Sequence, residues 1–456
     1  MQVQILIHNG WVLTQDDGRR EYRPGYVLVQ EDRIAEVGND PARAAELKES
    51  VPTVIDAGGC AVLPGLINPH THMFQTFMRG LADNKPLWQW LKEDIWPSAI
   101  LMEEEDFYLA ALVGVLENLK SGVTHVVDQH YVHYVPSSSD AVLRAMQEAG
   151  IRGTLCRGFA DQDYQPELME APERIFAAMD DLMARWHGAA GGRLRVSLGP
   201  LNPWGCSPGL LDEVSRYSAD HDIDMQIHVA ETRKVVESTA ERYGMDNLTF
   251  LHQHGILGPR TQLVHGVWLN EREEDLVVRT GSHLVHCPVS NMYLASGVAP
   301  VRRWLDKGIN VALATDGPGS NNSEDMMETL KFAACLQRVA TLDAGALLPQ
   351  DVLDMATRAG ARAVRAGNTG ALAPGCKADV VTVRLDRPHL APVHSAVSAL
   401  TFNANGNDVD TVLVDGQIVV QAGHSTLVDE AEVIRRCQAR AEAIREKVTG
   451  KPPFRD

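Results

Sequence analysis

Short apolar runs recur along the chain, and helical patterns separate most of them. Eight runs, at 62–67, 124–127, 153–156, 194–198, 225–229, 262–267, 283–286 and 310–314, have the length and residue types of buried strands. Between them, 104–122, 138–150, 172–186, 208–221, 232–254, 271–280 and 298–308 carry helical spacing. Several of these stretches end at a glycine, the residue that most readily takes the left-handed turn closing a helix. Eight strand–helix repeats predict an α/β chain folded as a (β/α)8 barrel. An open doubly wound sheet is the alternative, and no Gly-x-Gly-x-x-Gly follows a strand to support it.

The two ends of the chain read differently. Runs at 4–8, 12–14, 26–30 and 33–37 are strand-like and broken by Asn9-Gly10, Asp16-Asp17-Gly18 and Glu31-Asp32, whose turn chemistry explains the breaks. Runs at 379–384, 409–414 and 417–421 match them, with Asp415-Gly416 as a hairpin turn. These pieces predict one small β-sandwich whose halves meet across the chain. The expected organisation is an N-terminal sandwich half at 1–58, the barrel at 59–370, a C-terminal sandwich half at 371–428, and a closing helix and tail at 429–456.

Composition narrows the function classes. A length of 456 residues suits a large barrel with an accessory domain, and 45% hydrophobic residues can fill its core. The formal net charge of -18, from 42 basic and 60 acidic residues, argues against a phosphate backbone as partner. Seven scattered cysteines form no disulfide framework and no Cys-x-x-Cys zinc site, so the reducing cytoplasm is the expected compartment. The start shows no basic leader, and no apolar run nears about 18 residues, so neither secretion nor a membrane span is expected.

In a barrel of this kind, reactive groups sit where strands end. The first run ends in His70 and His72, the fifth in His228-Val-Ala-Glu231, the sixth in His265, the seventh in His286, and the eighth in Thr315-Asp316-Gly317. Residues two apart on a strand point the same way, so His70 and His72 can take one ion together. His70, His72, His228 and Asp316 match the donor set zinc or ferrous iron takes while leaving a position for water. The fourth run ends Gly199-Pro-Leu-Asn-Pro203, with no lysine or carboxylate to bridge a second ion, so one ion per chain is expected.

These residues resemble the amidohydrolase superfamily and, within it, the branch of S-adenosylhomocysteine/methylthioadenosine deaminases and triazine hydrolases. The resemblance rests on Pro64-Gly-Leu-Ile-Asn-Pro-His-Thr-His72, Arg79-Gly-Leu-Ala-Asp83, Pro86-Leu-Trp-Gln-Trp-Leu91, the residues above, His286-Cys-Pro-Val-Ser-Asn291, Ser296-Gly-Val-Ala-Pro300, Ser320-Asn-Asn322 and Gly375-Cys-Lys-Ala-Asp379. It implies one divalent ion on His70, His72, His228 and Asp316, Zn2+ first and Fe2+ as the alternative. It further implies that Glu231 carries a proton to a ring nitrogen, that His265 hydrogen-bonds the attacking water, and that Asp316 passes the water proton to the departing amine. Similar enzymes form dimers or tetramers, which is the expectation here.

Other positions take structural readings. His125, His130, His133 and His283 are assigned to packing, and His286 to packing and hydrogen bonding of its loop. Two departures bear on substrate. Nucleoside deaminases of the branch carry a glutamate after the tryptophan–proline step and a histidine in the strand-four loop, whereas here stand Ser98-Ala99 and Leu201-Asn202. Gly317 has no side chain to select a triazine leaving group. The expectation is therefore an aminohydrolase that uses water to deaminate a planar nitrogen heterocycle of purine, pterin or triazine type. Trp90 would stack on the ring, Arg157 and Asn202 would reach exocyclic groups, and Trp204 would close the wall. The alternatives are a deaminase of adenosine, methylthioadenosine or S-adenosylhomocysteine, and a non-catalytic scaffold, which has no need for ligands and proton carriers together.

Overall fold

The computed structural model describes residues 4–450. The N-terminal strands are β1 (Gln4–Leu13), β2 (Glu21–Gln30), β3 (Arg33–Gly38), β4 (Thr53–Asp56) and β5 (Cys60–Pro64). Eight barrel strands follow: β6 (Leu66–Thr71), β7 (Val123–His130), β8 (Arg152–Phe159), β9 (Leu194–Pro200), β10 (Met225–Val229), β11 (Thr261–His265), β12 (His283–His286) and β13 (Val311–Leu313). The chain closes with β14 (Val380–Arg384), β15 (Val409–Val414), β16 (Gln417–Gln421) and β17 (His424–Ser425).

β6 to β13 pair in sequence order as one parallel sheet, with helices such as Glu104–Lys120, Pro172–Trp186 and Pro208–His221 between successive strands. Every residue of β6, β7 and β8 is buried, as expected of parallel strands filled on one face and covered by helices on the other. The (β/α)8 barrel is therefore as predicted. The termini form the other sheet, in the order β17-β16-β15-β14-β5-β1-β2-β3 with β4 also on β1. This sheet curls on itself, so Val29 and Ile34 share one core with Val380 and Leu413. The Asp415-Gly416 turn between β15 and β16 has φ of 49° and 75°, the left-handed pair a two-residue hairpin favours.

Four element readings are corrected. The run at 62–67 is two strands in two sheets: Leu63 pairs with Val381 of β14, while Leu66 pairs with Val123 of β7. Gly65 is the crossing point, and a Cβ there would lie 1.9 Å from Thr124 Oγ1, so the two sheets approach as closely as they do only because of glycine. The stretch at 232–254 breaks into Arg233–Tyr243, closed by Gly244, and Asn247–Gln253, whose Asp246 cap accepts from the Thr249 amide. The helix expected at 298–308 is shorter, Val301–Asp306. The runs at 4–8 and 12–14 are one strand, β1, whose pairing with β2 shifts register around Gly10 instead of breaking.

A buried ion cluster joins barrel and sandwich. The Arg152 guanidinium donates to both Asp379 oxygens at 3.0 Å and to Asp415 at 2.6 Å. All seven cysteines are free thiols. No helix among the described residues is long and apolar enough to cross a membrane, and the tail expected beyond Gly450 lies outside the described residues.

Candidate functional site

Five strand-end groups converge. His70 lies in β6 and His72 one residue beyond it, His228 lies in β10, and His265 ends β11. Asp316 follows β13, and its amide donates to the His70 carbonyl at 3.1 Å. One nitrogen from each of His70, His72 and His228 lies within 4.8 Å of the others, and the same holds for donor atoms of His70, His265 and Asp316. Asp316 Oδ1 is 3.3 Å from His70 Nε2 and 3.6 Å from His72 Nε2. Glu231, just past β10, brings its Oε2 to 3.8 Å from His265 Nε2.

Partners behind the rings fix which nitrogen faces inward. His72 Nδ1 donates to the Gln129 carbonyl at 2.7 Å, and His228 Nδ1 to the Leu201 carbonyl at 2.8 Å. His70 Nδ1 meets Gln226 Oε1 at 2.6 Å, and that amide spends its own N–H groups on the Pro69 carbonyl and Gln262 Oε1. Each Nε2 is thereby left as a lone pair aimed at the centre, the arrangement a metal-binding histidine needs. Burial, with the neighbouring imidazoles, pushes His72 down to about 3 and His228 well below the usual histidine range. Burial pushes Asp316 up, but the His70 ring 3.3 Å away and the other surrounding imidazoles outweigh it and hold the carboxyl well below its usual range. Burial raises Glu231, against the His265 ring and a hydrogen bond from Ser296 at 3.1 Å.

The donor set fits a divalent ion. His70 Nε2 is wholly buried without a hydrogen-bond partner, beside two further imidazole lone pairs and an ionised carboxylate. The backbone here is also strained: Ala230, His265 and Asp316 have φ of 44°, 72° and 63°, left-handed values that residues with a Cβ rarely adopt.

A cavity of about 60 Å³ opens on these groups. Its walls include Trp90, Tyr131, Tyr164, Leu201 and Trp204, and Trp90 is fixed by donating to the Gly319 carbonyl at 3.0 Å. Tyr164 stacks on Trp204 at 5.4 Å. Asn202 lines the cavity, but its Oδ1 accepts from the Gly205 amide at 2.7 Å. The placement expected for Arg157 is corrected: its guanidinium is buried against Glu170 at 2.8 Å and does not line the cavity. Sequence reasoning missed Gln75, Tyr131 and Tyr164. Tyr131 directly follows β7, so the strand-end rule applied to that strand finds it. Gln75 Oε1 is buried in the cavity wall without a partner.

Among the remaining histidines, His133 Nε2 donates to the Gly158 carbonyl at 2.9 Å, His125 meets Thr154, and His283 meets Asn310. None of these, nor His130, belongs to a metal-ligating cluster among the described residues. His286 is buried as expected, but neither ring nitrogen finds a hydrogen-bond partner, so its expected hydrogen-bonding role is corrected. A larger groove, about 930 Å³, lies between helices Glu104–Lys120 and Glu430–Thr449, edged by the ion pairs Arg79–Glu117 and Lys120–Glu430.

Residues 61–419 match the amidohydrolase family. The chain belongs to that family. It is 38% identical over 425 residues to a 5'-deoxyadenosine deaminase of Methanothermobacter thermautotrophicus, covering 92% of this chain and 95% of that one. It is also 38% identical over 447 residues to a 5-methylthioadenosine/S-adenosylhomocysteine deaminase of Desulforudis audaxviator, covering 98% and 100%. An adenosine deaminase structure from Xanthomonas campestris with bound zinc superimposes with a TM-score of 0.90 at 27% identity, covering 98% of this chain and 99% of that one. Membership of the amidohydrolase family agrees with the resemblance read from the strand-end residues.

Proposed function

We propose that this amidohydrolase is a metal-dependent deaminase that removes the exocyclic amine of a planar nitrogen heterocycle by hydrolysis. The observation that carries this reading is the convergence of three imidazole lone pairs, one ionised carboxylate and one buried carboxyl of raised pKa on a single aromatic-walled cavity. His70, His72, His228 and Asp316 would hold one ion, zinc first and ferrous iron as the alternative. Such an ion supplies Lewis-acid activation, bringing the pKa of a water to about 7.

The chain's own groups do the rest. Glu231, whose carboxyl burial raises above its usual range, protonates the ring nitrogen next to the carbon that water attacks. Its Oε1 is held by Ser296, which leaves Oε2 to face His265 and the cavity. His265 is oriented by Asn291 Oδ1 at 3.0 Å, and its Nε2 lies 3.8 Å from Glu231 and 3.9 Å from Asp316. From there it steadies the charge that develops as water adds. Asp316 accepts the water proton and returns it to the leaving amine, and the proton of the added hydroxyl restores the Glu231 carboxyl as the carbonyl forms, so the products are the ring carbonyl and ammonia.

The cavity favours a compact ring. Leu201 lines it with an apolar side chain, Trp90 offers a flat face, and the unpartnered Gln75 Oε1 can accept from a ring N–H or amine. The deaminases of 5'-deoxyadenosine and methylthioadenosine among its relatives favour a second reading, a purine carried on ribose with an apolar 5' group. The test compares kcat/KM for free heterocyclic amines with that for 5'-modified adenosines. The compact-ring reading expects the free amines to win, whereas nucleosides ahead by more than about tenfold, roughly 1.4 kcal/mol, establish the second. A cytoplasmic homo-oligomer, dimer or tetramer, completes the proposal; the free thiols and the acidic charge balance support a reducing compartment without a nucleic-acid partner.

A further inference from the structure

The barrel has one seam with no strand ladder, bridged by a backbone bond from the Asp316 amide to the His70 carbonyl. Among the described residues, ladder pairing runs from β6 through to β13, and none joins β13 back to β6. Yet these two strands lead into three of the four proposed ligands, His70 and His72 on one side and Asp316 on the other. Behind the seam lies Glu324, wholly buried and absent from the cavity wall.

Its carboxyl gathers donors from both sides. Oε1 accepts from the Thr71 hydroxyl at 2.5 Å. Oε2 accepts from the Thr315 hydroxyl at 2.9 Å, from Asn118 Nδ2 at 3.1 Å and from Asn68 Nδ2 at 3.3 Å. Asn68 reinforces the bridge: its Oδ1 accepts from the Thr315 amide at 3.2 Å, and its Nδ2 donates to Thr315 Oγ1 at 2.8 Å. Thr71 sits between His70 and His72, and Thr315 precedes Asp316. Because side chains alternate along a strand, the face opposite the two histidines belongs to Thr71, and that is the face Glu324 grips.

We infer that Glu324 is a positioning residue that holds the ligand-bearing ends of β6 and the β13 segment in the relative placement an ion requires. The inference rests on the metal reading above. A donor set works only within about 0.5 Å of its productive geometry, and partners behind the ligands set that tolerance. With no ladder at the seam, the Glu324 and Asn68 side chains and the Asp316–His70 backbone bond carry the task.

The experiment titrates metal-free full-length protein with cobalt(II) chloride, whose visible absorption band reports ligand geometry, and measures affinity by competition with a chelator. Glu324→Leu removes both acceptor oxygens; the expected result is about 10–100-fold weaker cobalt binding and a shifted or weakened band in folded protein. Glu324→Gln keeps one acceptor and should lie between wild type and Glu324→Leu. A purely structural role lowers the thermal midpoint of the metal-free protein but leaves the band of the folded fraction unchanged. Wild-type affinity within about twofold, together with the wild-type band, in Glu324→Leu overturns the inference. Should that variant fail to fold, Thr71→Val and Thr315→Val each delete one donor to the carboxyl; shifted bands support the inference, and unchanged bands in both overturn it. Wild-type protein that takes up no cobalt overturns the metal reading, and this inference with it.

Discussion

Where β8 begins, at the end of the barrel facing the sandwich, the buried Arg152 guanidinium is matched by Asp379 through two parallel hydrogen bonds and by Asp415 through a third. Where β6, β10, β11 and β13 finish, His70 Nε2 and Gln75 Oε1 are just as buried and have no partner. Left-handed residues with a Cβ occur in both regions: Glu31, Asp415 and Ala422 of the sandwich have φ of 56°, 49° and 51°. The sandwich hairpin takes its tightest left-handed position with Gly416, where a Cβ would lie 2.0 Å from the Glu31 carbonyl oxygen. The site puts Ala230, His265 and Asp316 into left-handed conformations although each has a Cβ. A buried polar group left unpaired costs about 1–3 kcal/mol, so such groups persist where something outside the chain satisfies them. The Arg152 cluster is complete in itself, whereas the strand-end site is built to be completed by an ion and a substrate.

Removing a group from the strand-end site breaks this contrast most sharply. His228→Ala deletes one of three imidazole lone pairs, and its expected result is loss of the ion by a factor of about a hundred or more in affinity, with activity following. Elemental analysis beside an activity assay checks it; an ion retained at wild-type level removes His228 from the ligand set. Glu231→Gln sharpens the contrast within the site. It keeps size and removes the titrating carboxyl, so turnover should fall by roughly two to four orders of magnitude while the ion stays. Loss of ion in step with turnover would make Glu231 a ligand instead.

A change at the Arg152 cluster should act on stability alone. Arg152→Ala leaves Asp379 buried without its cation and Asp415 with Lys377 alone, at 3.1 Å, and the expected destabilisation is about 3–5 kcal/mol by denaturant unfolding. Ion content and turnover of the folded fraction should match wild type. A fall in kcat at full folding would show that the two ends are coupled.

The barrel strands, and the polar groups at the ends of five of them, were legible from the sequence because each apolar run is short and bounded and those five lead into an imidazole or a carboxylate. What failed to be legible has physical causes. The run at 62–67 looks like one strand since nothing in its apolar pattern marks a change of sheet; only the steric need for Gly65 beside Thr124 does so. Arg157 lies in β8, a strand buried throughout, and its partner Glu170 is thirteen residues away on a loop, so its direction was not readable from its position. Gln75 comes from a short 3-10 helix, Met73–Met78, and Tyr164 from an irregular connection, and their side-chain directions follow from packing. The Glu324 network escaped for another reason: it joins 68, 71, 118, 315 and 324, and no spacing rule links positions that only the closed barrel brings together.

If one ion completes the strand-end site and heterocycle deamination depends on it, ion content and turnover must rise and fall together. Ammonia release and ion content are followed on one preparation as purified, after chelation, and after zinc is restored. The expected result is about one ion per chain, ammonia release that disappears with the ion, and recovery of both together. Ammonia release that survives complete removal of the ion, or two tightly held ions per chain, would be incompatible with a single ion completing the site.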